Sequence, residues 1–519
     1  MKKLLSLLAF AGLLIFISCS DDDGPAPAGD LTIEGIPATA TVGLDETLEV
    51  TGITLTAGDG LDAFTASVNG GSPITLAGVP AGETSATVDF SIEVSEANGF
   101  TVGSNAVVFT LTDAQGDAVV FAHVLTVTTF STIDVRGDIT GAVTWSAANV
   151  YVLQTRVTVL DGATLTIEPG TIIKGEEGQG AAATSLLVAR GGMIMAAGTA
   201  DAPIIFTSVE DEIDPDDIAA GNFASPNLEP TEAGKWGGLI VLGRAPISAQ
   251  NENDMDVTEV QIEGIPSSDT NGLYGGTDEA DNSGVLQYIS IRHGGSEIGA
   301  GNEINGLTLG GVGTGTVIDH VEVVANADDG IEWFGGDVDM TDVLIWNSND
   351  DALDTDQDFQ GDLTNFLIVT PVGGSAFELD GPEGSTSRGN FHTFANGTVF
   401  AGDDIDHLVD WDGSTNAIVN NMYFFGLADD YTFDTSDADP DEHFFPIESF
   451  PGSVPDADAA MWTWEATMAA VSKADVFGDA DGITSEVDEN ANTVGATDLT
   501  QFAWTWGAQS GALGGIGLQ

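Results

Sequence analysis

Two periodicities divide the chain. From Leu31 to about Phe130, apolar and polar residues alternate in short runs. Examples are Ala86-Thr-Val-Asp-Phe-Ser-Ile-Glu-Val94 and Ala106-Val-Val-Phe-Thr-Leu-Thr112, with Gly, Asn and Asp between runs every 8 to 12 residues. A period of two marks strands buried on one face, and this spacing of turns predicts an antiparallel β-sandwich over 31–130, immunoglobulin-like in pattern. No catalytic constellation falls inside it, so a spacer role is expected.

From about Ser131 the runs shorten, Gly becomes frequent and imperfect repeats appear. One series reads Gln287-Tyr-Ile-Ser-Ile291, Asp319-His-Val-Glu-Val323, Thr341-Asp-Val-Leu-Ile345, Thr364-Asn-Phe-Leu-Ile368 and Asn420-Asn-Met-Tyr-Phe424. A second reads Gly330-Ile-Glu-Trp-Phe-Gly335, Ala352-Leu-Asp-Thr-Asp356, Ala376-Phe-Glu-Leu-Asp-Gly381 and Leu408-Val-Asp-Trp-Asp-Gly413. Two short strands per unit, at a period in the twenties to low thirties, predict a solenoid whose coils pair edge to edge. A right-handed parallel β-helix over 131–428 is the economical form. Residues 429–519 then read as a terminal cap. Met461, Trp464, Met468 and Val471 recur at helical spacing, with Asp456 and Asp458 before them and Lys473 after. Such a helix would cover the unpaired strand edges of the open end, with charges that suit its dipole.

Composition changes the picture in one direction. The 519 residues include 82 Asp plus Glu against 11 Lys plus Arg, a formal charge of −71. Nucleic acid is excluded as a partner, since a polyanion needs cations to displace its counterions. Docking on an anionic lipid surface is disfavoured for the same reason. Disorder is not the cause, because 42% of residues are hydrophobic and the mean hydropathy is +0.11. The single Cys rules out a disulfide framework and a cysteine-based zinc cluster. The surface suits water of high ionic strength, or a protein that collects cations.

That one Cys has a telling position. Lys2 and Lys3 precede an apolar run from Leu4 to Ile17, and Cys19 follows Ser18. The run is too short to span a bilayer but fits a signal peptide over 1–18. The stretch resembles a bacterial lipoprotein signal, although Phe16 stands where that signal usually has Leu. The resemblance implies acylation of Cys19, with a secretory peptide and an incidental Cys as the alternative. Ser20, Asp21, Asp22, Asp23 and Gly24 then open a Pro- and Ala-rich tether over 19–30, similar to the surface-export signal of Bacteroidota lipoproteins. Three further stretches carry a second resemblance: Asp161-Gly-Ala-Thr-Leu-Thr-Ile-Glu-Pro-Gly-Thr-Ile-Ile-Lys-Gly175, Gly198-Thr-Ala-Asp-Ala-Pro-Ile-Ile-Phe-Thr-Ser208 and Trp236-Gly-Gly-Leu-Ile-Val-Leu-Gly-Arg-Ala-Pro-Ile247. They look like the opening coils of Bacteroidota surface β-helix lipoproteins of pectin-lyase-like architecture. The implied address is the outer membrane, lipid-anchored and facing outward, with the acylated Cys19 in the lipid.

The candidate chemistry is acidic. In the second repeat series Ile331, Trp333, Leu353, Thr355, Phe377, Leu379, Val409 and Trp411 point inward. Strand alternation then sends Glu332, Asp354, Glu378 and Asp410 outward in one column. Phe334, Asp356, Asp380 and Asp412 form the next column, and Asp328, Asp329, Asp350 and Asp351 crowd the preceding turns. Stacked carboxylates about 4.8 Å apart repel by roughly 1 kcal/mol in water and about 3.5 kcal/mol at an effective dielectric near 20. Bridging Ca²⁺ would relieve this, held by Glu332, Asp354, Asp356, Glu378, Asp380, Asp410 and Asp412. A solvated acidic face is the competing reading. A third is a glycoside hydrolase, similar to the polygalacturonase-like enzymes, using Asp328, Asp329, Asp350 and Asp351 as acid and base. The Gly-His-Gly and Arg-x-Lys elements of that family are absent, and Arg292-His293-Gly294-Gly295 is the nearest basic cluster. A lyase is disfavoured, because the ladder region offers no cationic base.

Other signals in the sequence are weaker. Asp479-Ala-Asp-Gly482 echoes an EF-hand loop but has Phe477 at the first ligand position. His293, His320, His392, His407 and His443 lack metal-ligand spacing. Trp346, Trp411 or Tyr423, if exposed, would offer stacking faces for sugar rings. The combined expectation is a surface binding or adhesion protein, Ca²⁺-supported, whose partner is a neutral glycan or an envelope protein. The hydrolase and a purely structural envelope component stand as alternatives.

Overall fold

The computed structural model describes residues 31–426 apart from 77, 252, 298–303, 370–372, 386, 403–404, 406–407 and 412–414, together with 462–465, 484–487 and 494–518. Two compact units divide between Thr129 and Phe130. The first is a two-sheet β-sandwich. Thr32–Glu34, Thr47–Thr56 and Ser85–Glu93 form one sheet, and Thr39–Gly43, Leu61–Val68, Ile74–Thr75, Gly103–Asp113 and Ala118–Thr128 the other. Strict alternation puts Phe64, Phe90 and Phe109 between the sheets, where Phe90 and Phe109 lie 5.2 Å apart by ring centroids.

The second unit is the right-handed parallel β-helix. Its long sheet stacks, among others, Asn149–Leu153, Ile172–Gly175, Ile204–Ser208, Gly284–Arg292, Val317–Val324, Met340–Trp346, Asp362–Val369, His392–Phe400 and Ala417–Phe425. A second sheet stacks Val157–Val159, Leu186–Val188, Leu239–Leu242, Leu307–Gly310, Ile331–Phe334, Leu353–Asp356, Phe377–Leu379 and Asp410–Trp411. Every pairing in that sheet is parallel, and both repeat series fall in the register expected. Gln287 pairs with Asp319 and Thr341 with Thr364, while Glu332 pairs with Asp354 and Asp354 with Glu378. One coil, Ala395-Asn-Gly-Thr-Val399, had escaped the repeat because Gly397 replaces the usual apolar residue; a side chain there would collide with Phe366 and Met422.

The six long-sheet strands from Gly284–Arg292 to Ala417–Phe425 each bend at one residue that stands outside the ladder. Tyr288, His320, Asp342, Asn365, Asn396 and Asn421 occupy this corner, all with φ between 51° and 62°. Asn and Asp tolerate the left-handed region best, which explains their dominance here. The interior is filled by stacked apolar side chains, with Trp333 against Phe359 at 5.3 Å and Phe377 against Phe394 at 5.7 Å.

The C-terminal region departs from expectation in place rather than in kind. Trp462–Glu465 is a strand, not part of a helix; Trp462 pairs with Met422 and extends the long sheet. The open edge of Ala417–Phe425 offers backbone partners that an isolated helix would leave unmet. The other residues of that anticipated helix, Met461, Met468 and Val471, lie outside the described residues, as do Cys19, His407, Asp412, His443 and residues 479–482. Among the described residues of this region the α-helical turns are Trp506–Gln509 and Ala512–Gly515. They belong to a segment, 494–518, that runs back along the outer face of the long sheet. Gly495 N donates to Asn421 O (3.1 Å) and Ala496 N to Thr398 Oγ1 (2.9 Å). Thr497 N and Asp498 N donate to Asn365 Oδ1 (2.8 and 3.0 Å), and Gly507 N donates to Glu322 Oε1 (3.0 Å). Phe223 N then donates to Gln509 Oε1 (2.7 Å). The segment therefore crosses the coils in reverse order.

Candidate functional site

The strands of the second sheet set the acidic column. Ile331 and Trp333 enter the core, so Glu332 between them faces away from it, and the register stacks Asp354 and Glu378 on it. The column was expected to face solvent, and here the structure corrects the reading. Glu332 is only 7% exposed and Asp354 9%. The long excursion between Leu239–Leu242 and Gly284–Arg292 folds over this face. Its Ile247, Ile262, Ile265 and Tyr274 pack on Leu187, Ile240, Leu242 and Phe334. Glu378, Asp356 and Asp410 are half-buried, and Asp380 is exposed. Apolar residues within an excursion far longer than one coil were the signal for this cover.

The turn residues join the column. Asp329 and Asp351 are buried, Asp328 is half-buried and Asp350 exposed. Asp351 N donates to Asp329 Oδ1 (3.0 Å), and Ser375 N donates to Asp351 Oδ1, so each Asp fastens the next coil. Two triads result. Oxygens of Asp328, Asp329 and Asp350 lie within 4.8 Å of one another, and so do those of Asp329, Glu332 and Asp354. Asp329 belongs to both. Asp356, Glu378, Asp380 and Asp410 fall in neither triad.

The electrostatics of the inner triad are adverse. Burial, then the neighbouring carboxylates, raise Asp329, Glu332 and Asp354 well above the usual carboxylate range. Burial and a hydrogen bond with Asp351 push Glu378 up to about 10. None of Asp329, Glu332 and Asp354 has an ion pair among the described residues. Asn305 Nδ2 donates to Glu332 Oε2, while Asn305 Oδ1 and Asp354 Oδ1 are buried without a partner. Oxygen donors alone, so spaced, fit a hard cation, since Ca²⁺ binds oxygen at about 2.3–2.6 Å and reaches oxygens up to about 5 Å apart.

The same excursion walls a cavity of about 520 Å³, lined by Asp161, Arg190, Arg244, Glu259, Asn271 and Asp278 among others. Arg190 Nη1 pairs with Glu259 Oε1 (2.7 Å) and donates to Gly275 O (2.9 Å). Arg244 Nη2 pairs with Asp161 Oδ1 (3.1 Å). Sequence reasoning missed this cavity. Two of only 11 basic residues meet in it, but 54 positions of sequence separate them.

The remaining candidates are structural. Trp346 and Tyr423 are 7% and 6% exposed, so neither offers a sugar-stacking face. Trp346 instead meets Trp506 at 5.7 Å. Arg292 is fully buried; its Nε donates to Ser290 Oγ (2.7 Å), Glu322 lies 3.7 Å away, and its guanidinium sits 5.0 Å over the Trp506 ring. His293 and His392 are buried, burial lowering both, and His392 falls to about 4.

Stacked coils of two parallel sheets, with an acidic group across successive turns, define a carboxylate-rich parallel β-helix protein. The family model of the pectate-lyase-like β-helix domain matches residues 137–221 and 223–444, and the chain belongs to that family. No curated protein matches it. Among solved structures, pectate lyase PelI from Erwinia chrysanthemi in complex with tetragalacturonic acid is 8% identical, covering 89% of this chain and 100% of that one at a TM-score of 0.20. The family 28 exopolygalacturonase of Yersinia enterocolitica is 11% identical, covering 85% and 86% at a TM-score of 0.17.

Proposed function

We propose that the protein is a lipid-anchored, outward-facing outer-membrane β-helix protein of the Bacteroidota type. Its role is binding, to a neutral glycan or an envelope protein, and Ca²⁺ supports the scaffold. The observation that carries the cation is the inner triad: three buried carboxylates, no countercharge among the described residues, and orphan oxygens on Asp354 and Asn305. The anchor rests on Lys2, Lys3, the Leu4–Ile17 run and Cys19.

Thermal melting of the full chain in EDTA and in excess Ca²⁺, at fixed ionic strength, tests the cation. Ligand at a hundred times its Kd adds about 2.7 kcal/mol to the folded state, a rise of several degrees. Glu332→Gln and Asp354→Asn should abolish the rise, and its absence in the parent protein would remove Ca²⁺ from the proposal. Cys19→Ser should release the protein from the membrane fraction.

A hydrolase reading keeps one supporting observation, the outer triad of Asp328, Asp329 and Asp350 on adjacent coils, with Asp350 exposed. The spacing is tighter than the roughly 6.5–9.5 Å of an acid paired with a water-activating base and is nearer the about 5–5.5 Å of retaining glycosidases, so one Asp would act as nucleophile rather than as base. Release of reducing ends from a polysaccharide, lost in Asp350→Asn, would favour that reading over binding alone.

A further inference from the structure

The cavity beside the excursion is distinct from the acidic triads and takes no part in them. Its size lies within the range of about 300–1,000 Å³ typical of small-molecule sites. Its wall is fixed by bare backbone. A Cβ on Gly191 would strike Asp161 Oδ1 and the Arg244 guanidinium, and one on Gly276 would lie 2.6 Å from Arg244 O. Asp278 N donates to Arg244 O (2.9 Å), and Gly275 N to Gly243 O (3.0 Å), tying the excursion to the coil.

Both guanidiniums are only partly used. Arg190 spends Nη1, and Arg244 spends Nη2 on Asp161 and on Arg190 O. An arginine presents five N–H groups, so Nε and Nη2 of Arg190 and Nε and Nη1 of Arg244 have no partner among the described residues. Acceptors stand beside these donors, on Asp161, Glu259 and Asp278. A lining that carries both donors and acceptors suits adjacent hydroxyls, because each hydroxyl can accept from a guanidinium while donating to a carboxylate. Three carboxylates against two guanidiniums, in a chain of formal charge −71, oppose a ligand that brings its own negative charge.

We propose that the cavity bounded by Asp161, Arg190, Arg244, Glu259, Asn271 and Asp278 binds an uncharged sugar through adjacent hydroxyls and discriminates against uronates. This deepens the glycan-binding reading and rests on it.

Titration calorimetry on the full chain in detergent tests it. The probes are laminarihexaose, mannohexaose, galactohexaose and xylohexaose, with tetragalacturonate as the acidic comparison. At least one neutral hexaose should bind, and Arg244→Ala and Asp278→Asn should each weaken it about tenfold or more, the loss of a hydrogen bond to a charged group. Arg244 is 46% exposed in its side chain and Asn preserves the shape of Asp278, so both variants should melt within a few degrees of the parent. Neutral binding that survives both substitutions overturns the cavity but leaves the glycan reading in place. Tighter binding of tetragalacturonate overturns the discrimination against charge. No binding by any probe, in a protein that melts normally, overturns the cavity and the glycan reading together.

Discussion

The outer faces of the two sheets of the β-helix both bury charge, in opposite ways. On the long sheet Arg292 and Glu322 face each other, Ser290 bridges them, and the C-terminal segment supplies Gly507 N and the Trp506 ring. Arg292 and Glu322 thus meet a charge of opposite sign, although Arg292 Nη1 and Nη2 make no hydrogen bond among the described residues. On the second sheet Asp329, Glu332 and Asp354 are also buried, and although Asp351 N and Asn305 Nδ2 donate to two of them, no positive charge pairs with them among the described residues. Burial alone therefore does not tell what a charged group is for. A compensated pair is part of the scaffold, while an uncompensated set must hold protons or recruit a cation.

Removing one carboxylate charge from each face should therefore act with opposite sign. Glu322→Gln strands Arg292 and should cost about 3–5 kcal/mol in urea unfolding. Asn365→Ala comes next, because Thr497 N and Asp498 N lose their acceptor and Ala must adopt the left-handed corner. A loss of about 1–3 kcal/mol is expected, with hydrogen exchange quickening over 494–518 first. Asp329→Asn relieves repulsion and should stabilise the metal-free protein by on the order of 1 kcal/mol, while abolishing its response to Ca²⁺. A destabilised Asp329→Asn protein in EDTA would erase the contrast between the faces.

The pH dependence gives the finest test. Asp329, Glu332 and Asp354 are raised, and Glu378 rises from 4.5 to about 10. Between those values the folded metal-free protein binds more protons than the unfolded chain, so stability falls as pH rises from 5 to 9. Saturating Ca²⁺ should flatten this slope. His392, lowered to about 4 from 6.5, adds a smaller loss in the other direction as pH drops through that window.

The regular parts of this architecture were legible in the sequence and the irregular parts were not. Repeats name their own register, which is why the sequence alone stacks Glu332, Asp354 and Glu378 as the sheet does. The same alternation also says which side of the strand faces the core. It cannot say whether the far side meets water, because that depends on a non-repeating excursion whose Ile262 and Tyr274 have no counterpart elsewhere in the coils. The outer triad falls wholly among the turn carboxylates singled out from the sequence, whereas the inner one joins Asp329 of a turn to Glu332 and Asp354 of the column, a meeting that no strand period dictates. Trp464 misled because helical spacing in a short aromatic run competes with an available sheet edge, and the edge prevailed.

The returning C-terminal segment changes how the solenoid assembles. Stacked repeats ordinarily depend on near neighbours, and their stabilities add along the array. Here Gln509 donates to Gly221 O across 288 residues, stitching the last part of the chain to an early coil. A nascent chain can thus wind its coils progressively, yet its early outer face stays undressed until the final residues arrive. Truncation near the terminus would leave proteolytic scars around Phe223 and Arg292, far upstream of the cut.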